Sequence, residues 1–328
     1  MLQTPNEEGQ GPRRTRVASR GALALLWLCL VCVSVSLRAE GVALRPAWEK
    51  GQTADYEFWV QRDRVTTAVF DDQRRKQTLA VVSEGRLTWE VVEALPDGGF
   101  RALMTLAWMS VSTTADGGAT EVNDSRKPSG AVPLMHDLLE AMVGVPVEVE
   151  VAADGSVRSI DGLEPMRQRA EVAEAVPDET DFEETASGLA SLPFAPATLE
   201  PGGGWSASHV WNHELGEVAY DWDYRLESVE NIAGVPVAVV RGRGNGELRP
   251  DADAPSEVTL NFEVELAEQT AMFDLLRGEA VGRDDRLVTE VEMVVRLPDG
   301  RRLTRVMRED ERSQVVRVSE GGAGDAGG

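Results

Sequence analysis

From Trp48 onward the chain is dominated by short runs in which apolar and polar positions alternate. Tyr56, Phe58 and Val60 alternate with Asp55, Glu57 and Trp59, and Leu87, Trp89 and Val91 with Arg86, Thr88 and Glu90. A period of two, carried by aromatic and β-branched residues, predicts half-buried strands. Asp97-Gly98, Asp154-Gly155 and Asp299-Gly300 separate such runs. Asp-Gly supplies the positive φ angles of a tight turn, so these connections are predicted to be antiparallel hairpins. The run Phe100 to Val111 is apolar at most positions. As a strand it places Phe100, Ala102, Met104, Leu106 and Trp108 on one face and Leu103, Ala107, Met109 and Val111 on the other, so it must be covered on both.

The pattern changes between Pro133 and Val143. Leu134, Leu138, Leu139 and Met142 fall at helical spacing, Pro133 stands at the start and Gly144 just past the end, predicting an amphipathic helix. Leu163 to Val176 is helical in composition, and Glu179 to Leu189 offers a third helix. Pro201-Gly202-Gly203-Gly204 then closes an acidic, proline-punctuated middle. Strand patterning restarts at Trp205: Tyr220, Trp222 and Tyr224 share one face and Asp221 and Asp223 the other, followed by Val235 to Arg241, Val258 to Leu266 and Val291 to Leu297. The fold class is α+β, mainly antiparallel curved sheet with two or three helices in the middle third. The sheet is either one long one or two similar halves, 40–200 and 201–320, each opening with a tryptophan (Trp48, Trp205). The glycine-rich 321–328 reads as a disordered tail.

The N-terminus adds a compartment. Arg13, Arg14, Arg16 and Arg20 precede an uncharged run from Gly21 to Leu37, the order of a secretory signal, with a cut expected after Ala39. Without that cut, about 17 apolar residues would anchor the chain in a membrane. Cys29 follows Leu28 and Cys32 follows Val31, unlike a lipoprotein site, and Arg13-Arg14 is a weak twin-arginine match. Both cysteines lie in this segment, so the exported chain has no disulfide and no thiolate. Losing residues 1–39 leaves 28 basic against 54 acidic residues. That field disfavours nucleic acid and anionic membranes. The expected location is periplasmic or extracellular, with membrane contact only through 21–37.

Candidate chemistry is sparse. His209 and His213 would stand about 13 Å apart on a strand, too far to share a metal ion. His136 lies alone on the first helix. No Gly-x-Ser-x-Gly occurs, and Gly242-Arg243-Gly244-Asn245-Gly246 lacks the Lys-Ser/Thr of a phosphate loop, so a turn or bulge is expected there. Paired acids at Asp71-Asp72, Asp221/Asp223 and Asp284-Asp285 are what so acidic a chain yields by chance, and Asp251-Ala252-Asp253 falls short of a calcium loop. The aromatics either fill a sheet core or line a concave apolar face made of Trp89, Trp108, Tyr220, Trp222 and Tyr224.

Trp48-Glu49-Lys50-Gly51-Gln52-Thr53-Ala54-Asp55-Tyr56, the segment Val149 to Gly162, and Leu192-Pro193 leading to Gly204-Trp205 together resemble an uncharacterised family of exported bacterial proteins frequent in planctomycetes. Gln52 stands where that family has an acidic residue, and Gly203-Gly204 where it has a polar pair. The resemblance implies an envelope or extracellular protein of undetermined activity and transfers no catalytic residue. The expectation is a non-enzymatic protein that binds a partner or apolar ligand, without cofactor or metal. The alternatives are a structural module of the cell surface or a hydrolase working through paired acids or His209 and His213.

Overall fold

The alternating runs fold into twelve strands of one antiparallel sheet. The computed structural model describes residues 41–71, 73–170, 194–195, 197–213, 216–250 and 257–318, with the backbone alone at 209, 211–213, 216 and 250. The strands are β1 (Thr53–Phe70), β2 (Gln73–Ala94), β3 (Phe100–Ala115), β4 (Glu121–Asp124), β5 (Pro146–Val151), β6 (Val157–Asp161), β7 (Gly204–His213), β8 (Gly216–Ile232), β9 (Val235–Pro250), β10 (Val258–Asp274), β11 (Glu279–Arg296) and β12 (Arg302–Arg317). Two helices, α1 (Pro133–Met142) and α2 (Glu164–Arg169), lie between β4 and β7. The described residues fall in one compact unit, Gly41–Gly328. The signal segment, the tail 321–328 and the helix expected at Glu179 to Leu189 lie outside the described residues.

The sheet order is β6-β5-β3-β2-β1-β12-β11-β10-β9-β8-β7, with β4 added on β3. Two meanders thus join through β1 and β12, which run antiparallel from Tyr56↔Arg317 to Phe70↔Leu303. The predicted hairpins form, with Gly98, Gly155 and Gly300 at φ of 90°, 90° and 85°. These angles are open to glycine and strained for other residues.

Cross-strand neighbours share a face, so the register can be followed across the sheet. Phe58 opposes Val315, which opposes Arg283, which opposes Ala271, then Val240 and Leu226. We call this the inner face. It carries both hydrophobic clusters. One holds Tyr56, Leu87, Trp89, Ala102, Met104, Val147 and Val149, and is covered by Leu163 and Met166 with Leu138 and Met142 of α1. The other holds Tyr224, Leu226, Val240, Ala271 and Phe273, covered by Leu44, Phe194 and Ala195. Fully burying an aliphatic side chain such as Leu44 or Leu226 contributes roughly 2 kcal/mol, which is what holds the N-terminal stretch against the sheet.

Three sequence expectations are corrected. The β2–β3 register shifts between Arg86↔Trp108 and Leu87↔Leu106, which leaves Ala107 as an extra, exposed residue. A one-residue bulge reverses side-chain direction. Leu106 and Met104 therefore stay on the inner face with Met109 and Val111, while Trp108 turns to the outer face. The run Phe100 to Val111 looks apolar on both sides because the bulge splits it into two registers. The glycines 242–246 likewise form neither turn nor bulge but the interior of β9, paired with β8 in unbroken register. The second helix is shorter than the pattern of Leu163 to Val176: it ends at Arg169, with Ala170 extended, and residues from 171 lie outside the described residues.

Candidate functional site

The aromatic residues separate into three places. Trp89 is buried on the inner face, edge-on to Phe100 at 6.4 Å between ring centroids. Trp108 is half-buried on the outer face, where the guanidinium of Arg126 lies 3.8 Å above its ring. Tyr220, Trp222 and Tyr224 stand together on the inner face of β8. Tyr224 stacks on Trp222 at 5.9 Å and on Trp205 at 5.3 Å.

That aromatic row exists because of the neighbouring glycines. Gly242, Gly244 and Gly246 of β9 pair with Tyr224, Trp222 and Tyr220. A Cβ at Gly242 would lie 2.6 Å from Tyr224 Cε1, and one at Gly244 would lie 3.0 Å from Trp222. The rings lie down on backbone that carries no side chain, a close approach only glycine permits. The pattern Gly-x-Gly-x-Gly at a spacing of two thus has a packing meaning rather than a phosphate-binding one.

Beyond these rings the sheet divides. The β9–β10 ladder runs from Asp274↔Val237 to Glu268↔Arg243 and stops there. From Ala267 back to Val258, β10 pairs on the β11 side only, while β9 continues on β8 to Pro250. At the fork Phe262 meets Tyr220 edge-on at 6.3 Å, and a Cβ at Gly246 would come within 2.6 Å of Val264 Cγ2, so β10 leans over the inner face of β8 and β9.

The inner face of the diverging strands is apolar and has no covering element among the described residues. Val258, Leu260, Phe262 and Val264 of β10 oppose Val295, Met293, Val291 and Thr289 of β11, and all eight are half-exposed. Residues between them, such as Thr259, Asn261 and Glu263, are exposed on the outer face. The sequence carries this signal in the strict alternation of 258–264. Alternation alone does not say whether an apolar face is covered.

A polar group is buried where the N-terminal stretch crosses the sheet. Glu279 is fully buried between Arg317, at 2.5 Å, and Arg277, at 3.6 Å. Burial pushes its carboxyl above the usual Glu range, and the charges of Arg317 and Arg277 only partly oppose this. The Tyr56 hydroxyl donates to the Ala280 carbonyl at 3.3 Å. Burial, with the charge of Glu279, raises its pKa well above the ordinary tyrosine value. A cleft of about 560 Å³ beside them is lined by Lys50, Gln52, Leu276, Arg277 and Arg317. Glu279, Arg277 and Arg317 form an ion-pair network at its edge.

The remaining candidates are scattered. His209 and His213 lie on extended β7, opposite Tyr220 and Gly216, with their side chains outside the described residues. His136 is buried on α1, its Nε2 3.4 Å from Glu140. Asp221 and Asp223 face outward and accept hydrogen bonds from Ser208 and Ser206. Asp284 accepts from Gln314 on the outer face, whereas Asp285, on the inner face, pairs with Arg283 at 2.6 Å. Asp71 pairs with Arg301 at a hairpin end; Asp72, Asp251 and Asp253 lie outside the described residues. Among the described residues no three His, Cys, Asp or Glu side chains converge as a metal site would need.

The sequence model of a family of unknown function, DUF6263, matches residues 97–191, well under half of the chain. The match spans β3 to β6 and both helices, the region that supplies most of the first cluster. No curated protein is similar to the chain in sequence. Among solved structures, similar ones include a DUF1329 family protein from Desulfovibrio piger, at 10% identity and a TM-score of 0.14, covering 84% of this chain and 89% of that one. A domain assigned to outer membrane lipoprotein sorting in Vibrio parahaemolyticus has 9% identity and a TM-score of 0.14, covering 82% and 87%. The translocator domain of the autotransporter NalP from Neisseria meningitidis has 9% identity and a TM-score of 0.19, covering 90% and 96%. Scores this low give these likenesses no weight for fold or function.

Proposed function

We propose that this is an exported, non-enzymatic protein of the cell envelope that holds an apolar ligand, or an apolar segment of a partner, on the inner face of β10 and β11. The observation that carries the reading is the half-buried row of Val258, Leu260, Phe262, Val264, Val291, Met293 and Val295, which no element among the described residues covers. Monomeric proteins rarely leave so continuous an apolar strip in water unless it serves an interaction. The aromatic row of Tyr220, Trp222 and Tyr224 would form one wall of the site. Export rests on the N-terminal pattern and on the family resemblance. The scatter of histidines and carboxylates favours binding over hydrolysis.

Native mass spectrometry of the chain purified from its own envelope tests this. The expected result is a co-purifying apolar small molecule that is lost from Phe262→Glu and Val291→Asp variants. Absence of any adduct, together with the same surface accessibility in the complex and free forms, would sink the reading. A specific feature favours a second reading, a protein partner: Val258 to Ala267 has a backbone edge unpaired by β9, and an extended peptide adds to such an edge. In that case a bound chain rather than a lipid appears in the same spectrum.

A further inference from the structure

The far ends of the longest strands reverse the charge of the molecule. Where β1 turns into β2, and β11 into β12, exposed Arg74, Arg75, Lys76, Arg296, Arg302 and Arg305 gather, and among the described residues none of the six is paired with a carboxylate. Arg301 adds a seventh charge but is held by Asp71 and Asp299, at 2.9 and 2.7 Å. The register brings the two hairpins side by side: Ala68 opposes Arg75 on one side and Arg305 on the other, and Phe70 opposes Leu303. Arg75 and Arg305 therefore share the inner face, whereas Arg74, Arg302 and Arg296 project from the outer one. Apolar residues at the same level also occupy both faces. Phe70 and Val295 are half-exposed inside, and Val69 is exposed outside.

We propose that this end of the sheet docks edge-on against a bilayer surface rich in anionic lipid. The placement of cations on both faces separates this from a ligand lying on the inner face alone: only a surface met end-on reaches all six. Apolar side chains at the same level can enter the interface, as Phe and Val do at membrane surfaces. The overall acidity of the chain does not prevent it. Charges are screened within about 8 Å at physiological salt. At the same level, among the described residues, seven cations stand against three carboxylates: Asp71 and Asp299, both held by Arg301, and exposed Glu257, whose backbone carbonyl accepts from Arg296 N–H. Farther back, Glu292 on β11 is four residues from Arg296, roughly 13 Å away, and Asp63 on β1 is seven residues from Phe70, roughly 23 Å. The end of the sheet meets the membrane before the acidic body does. This inference stands on local charge and does not depend on what occupies the apolar row.

The test is flotation of residues 40–328, the chain expected after the cut at Ala39 and one compact unit from Gly41, with vesicles of phosphatidylcholine containing about 30% phosphatidylglycerol, at about 0.1 M salt. A variant carrying Arg74→Ser, Arg75→Ser, Arg302→Ser and Arg305→Ser is compared with one carrying Arg45→Ser, Arg167→Ser, Arg169→Ser and Arg225→Ser, which removes the same charge elsewhere. Leaving out residues 1–39 removes the apolar run Gly21 to Leu37, which would hold every variant on the vesicles alike. Each cation at a membrane surface is worth about fivefold in binding, so the first variant is expected to lose about 100-fold or more and the second little. Equal losses in the two variants, or unchanged binding in the first, overturn the proposal. Seven of the eight arginines are exposed and Arg167 is half-buried, so thermal unfolding is expected to change little in either variant. Loss of vesicle binding with an unchanged co-purifying molecule supports docking and leaves the ligand reading standing. Loss of that molecule with unchanged vesicle binding overturns docking.

Discussion

The two ends of β11 are built from the same alternation and meet different fates. At the Glu279 end, the inner face lies under the N-terminal stretch: Ala47 donates to the Gly278 carbonyl and Ala280 packs against both clusters. At the Arg296 end, Val291, Met293 and Val295 alternate just as regularly and remain half-exposed. The difference lies in what the rest of the chain brings to each end. Residues 41–48, the helices and Phe194 are all spent on one end of the sheet. An apolar face left bare after the available cover is used is where a binding surface is to be expected.

That contrast can be tested by its energetics. Trp89→Ala at the covered end removes a buried indole from a cluster that cannot collapse around the gap. It is expected to lower the unfolding free energy by about 3–5 kcal/mol, read as a shift in the denaturant midpoint at constant slope. Gly244→Ala would press a methyl group against Trp222 and Ala267 and cost about 1–3 kcal/mol, whereas the same change in an uncrowded strand would be near neutral. An unchanged midpoint would show that the rings do not lie on β9 as described.

Glu279 gives a contrast in pH. Its carboxyl is raised in the folded chain, so folding favours the protonated form. Its contribution to stability is greatest below the ordinary Glu range, falls as pH rises through the folded pKa, and is level above it. Unfolding followed across that window should show this decline, and Glu279→Gln should remove it. A slope unaffected by the substitution would place the titrating group elsewhere.

The bare end should respond weakly. Phe262→Ala is expected to cost about 1–2 kcal/mol, because the half-buried ring loses its edge contact with Tyr220 but leaves no closed cavity. A loss comparable to that of Trp89→Ala would mean that the row is covered and would remove the basis of the binding reading. Smallest of all is Arg62→Ala, which breaks the exposed ion pair with Glu311 at 2.6 Å and should change stability by less than about 1 kcal/mol, less still at high salt.

Legibility in the sequence follows the range of the interactions. The strands, their antiparallel hairpins and α1 were readable because alternation, Asp-Gly turns and the Pro133 and Gly144 boundaries act over a few residues. Tyr220, Trp222 and Tyr224 were rightly grouped on one face for the same reason. Trp108 was placed with Trp89 because nothing local marks Ala107 as a bulge; only its mismatch with Arg86 and Leu87 on β2 does. The glycines 242–246 looked like a turn because the rings that need them belong to another strand. The basic end was hidden because its charges come from residues 74–76 and 296–305, more than two hundred positions apart.

By itself, then, the sequence determined the period of each segment, the turns between segments, and the acidic, thiol-free character of the chain beyond residue 39, since these depend on composition and neighbouring residues alone. The tertiary structure decided which strands meet, and so joined the first strand to the last. It also decided which apolar residues are covered and where scattered arginines become a single positive edge. Those outcomes depend on a register set between residues such as Phe70 and Leu303, whose contact no local pattern encodes.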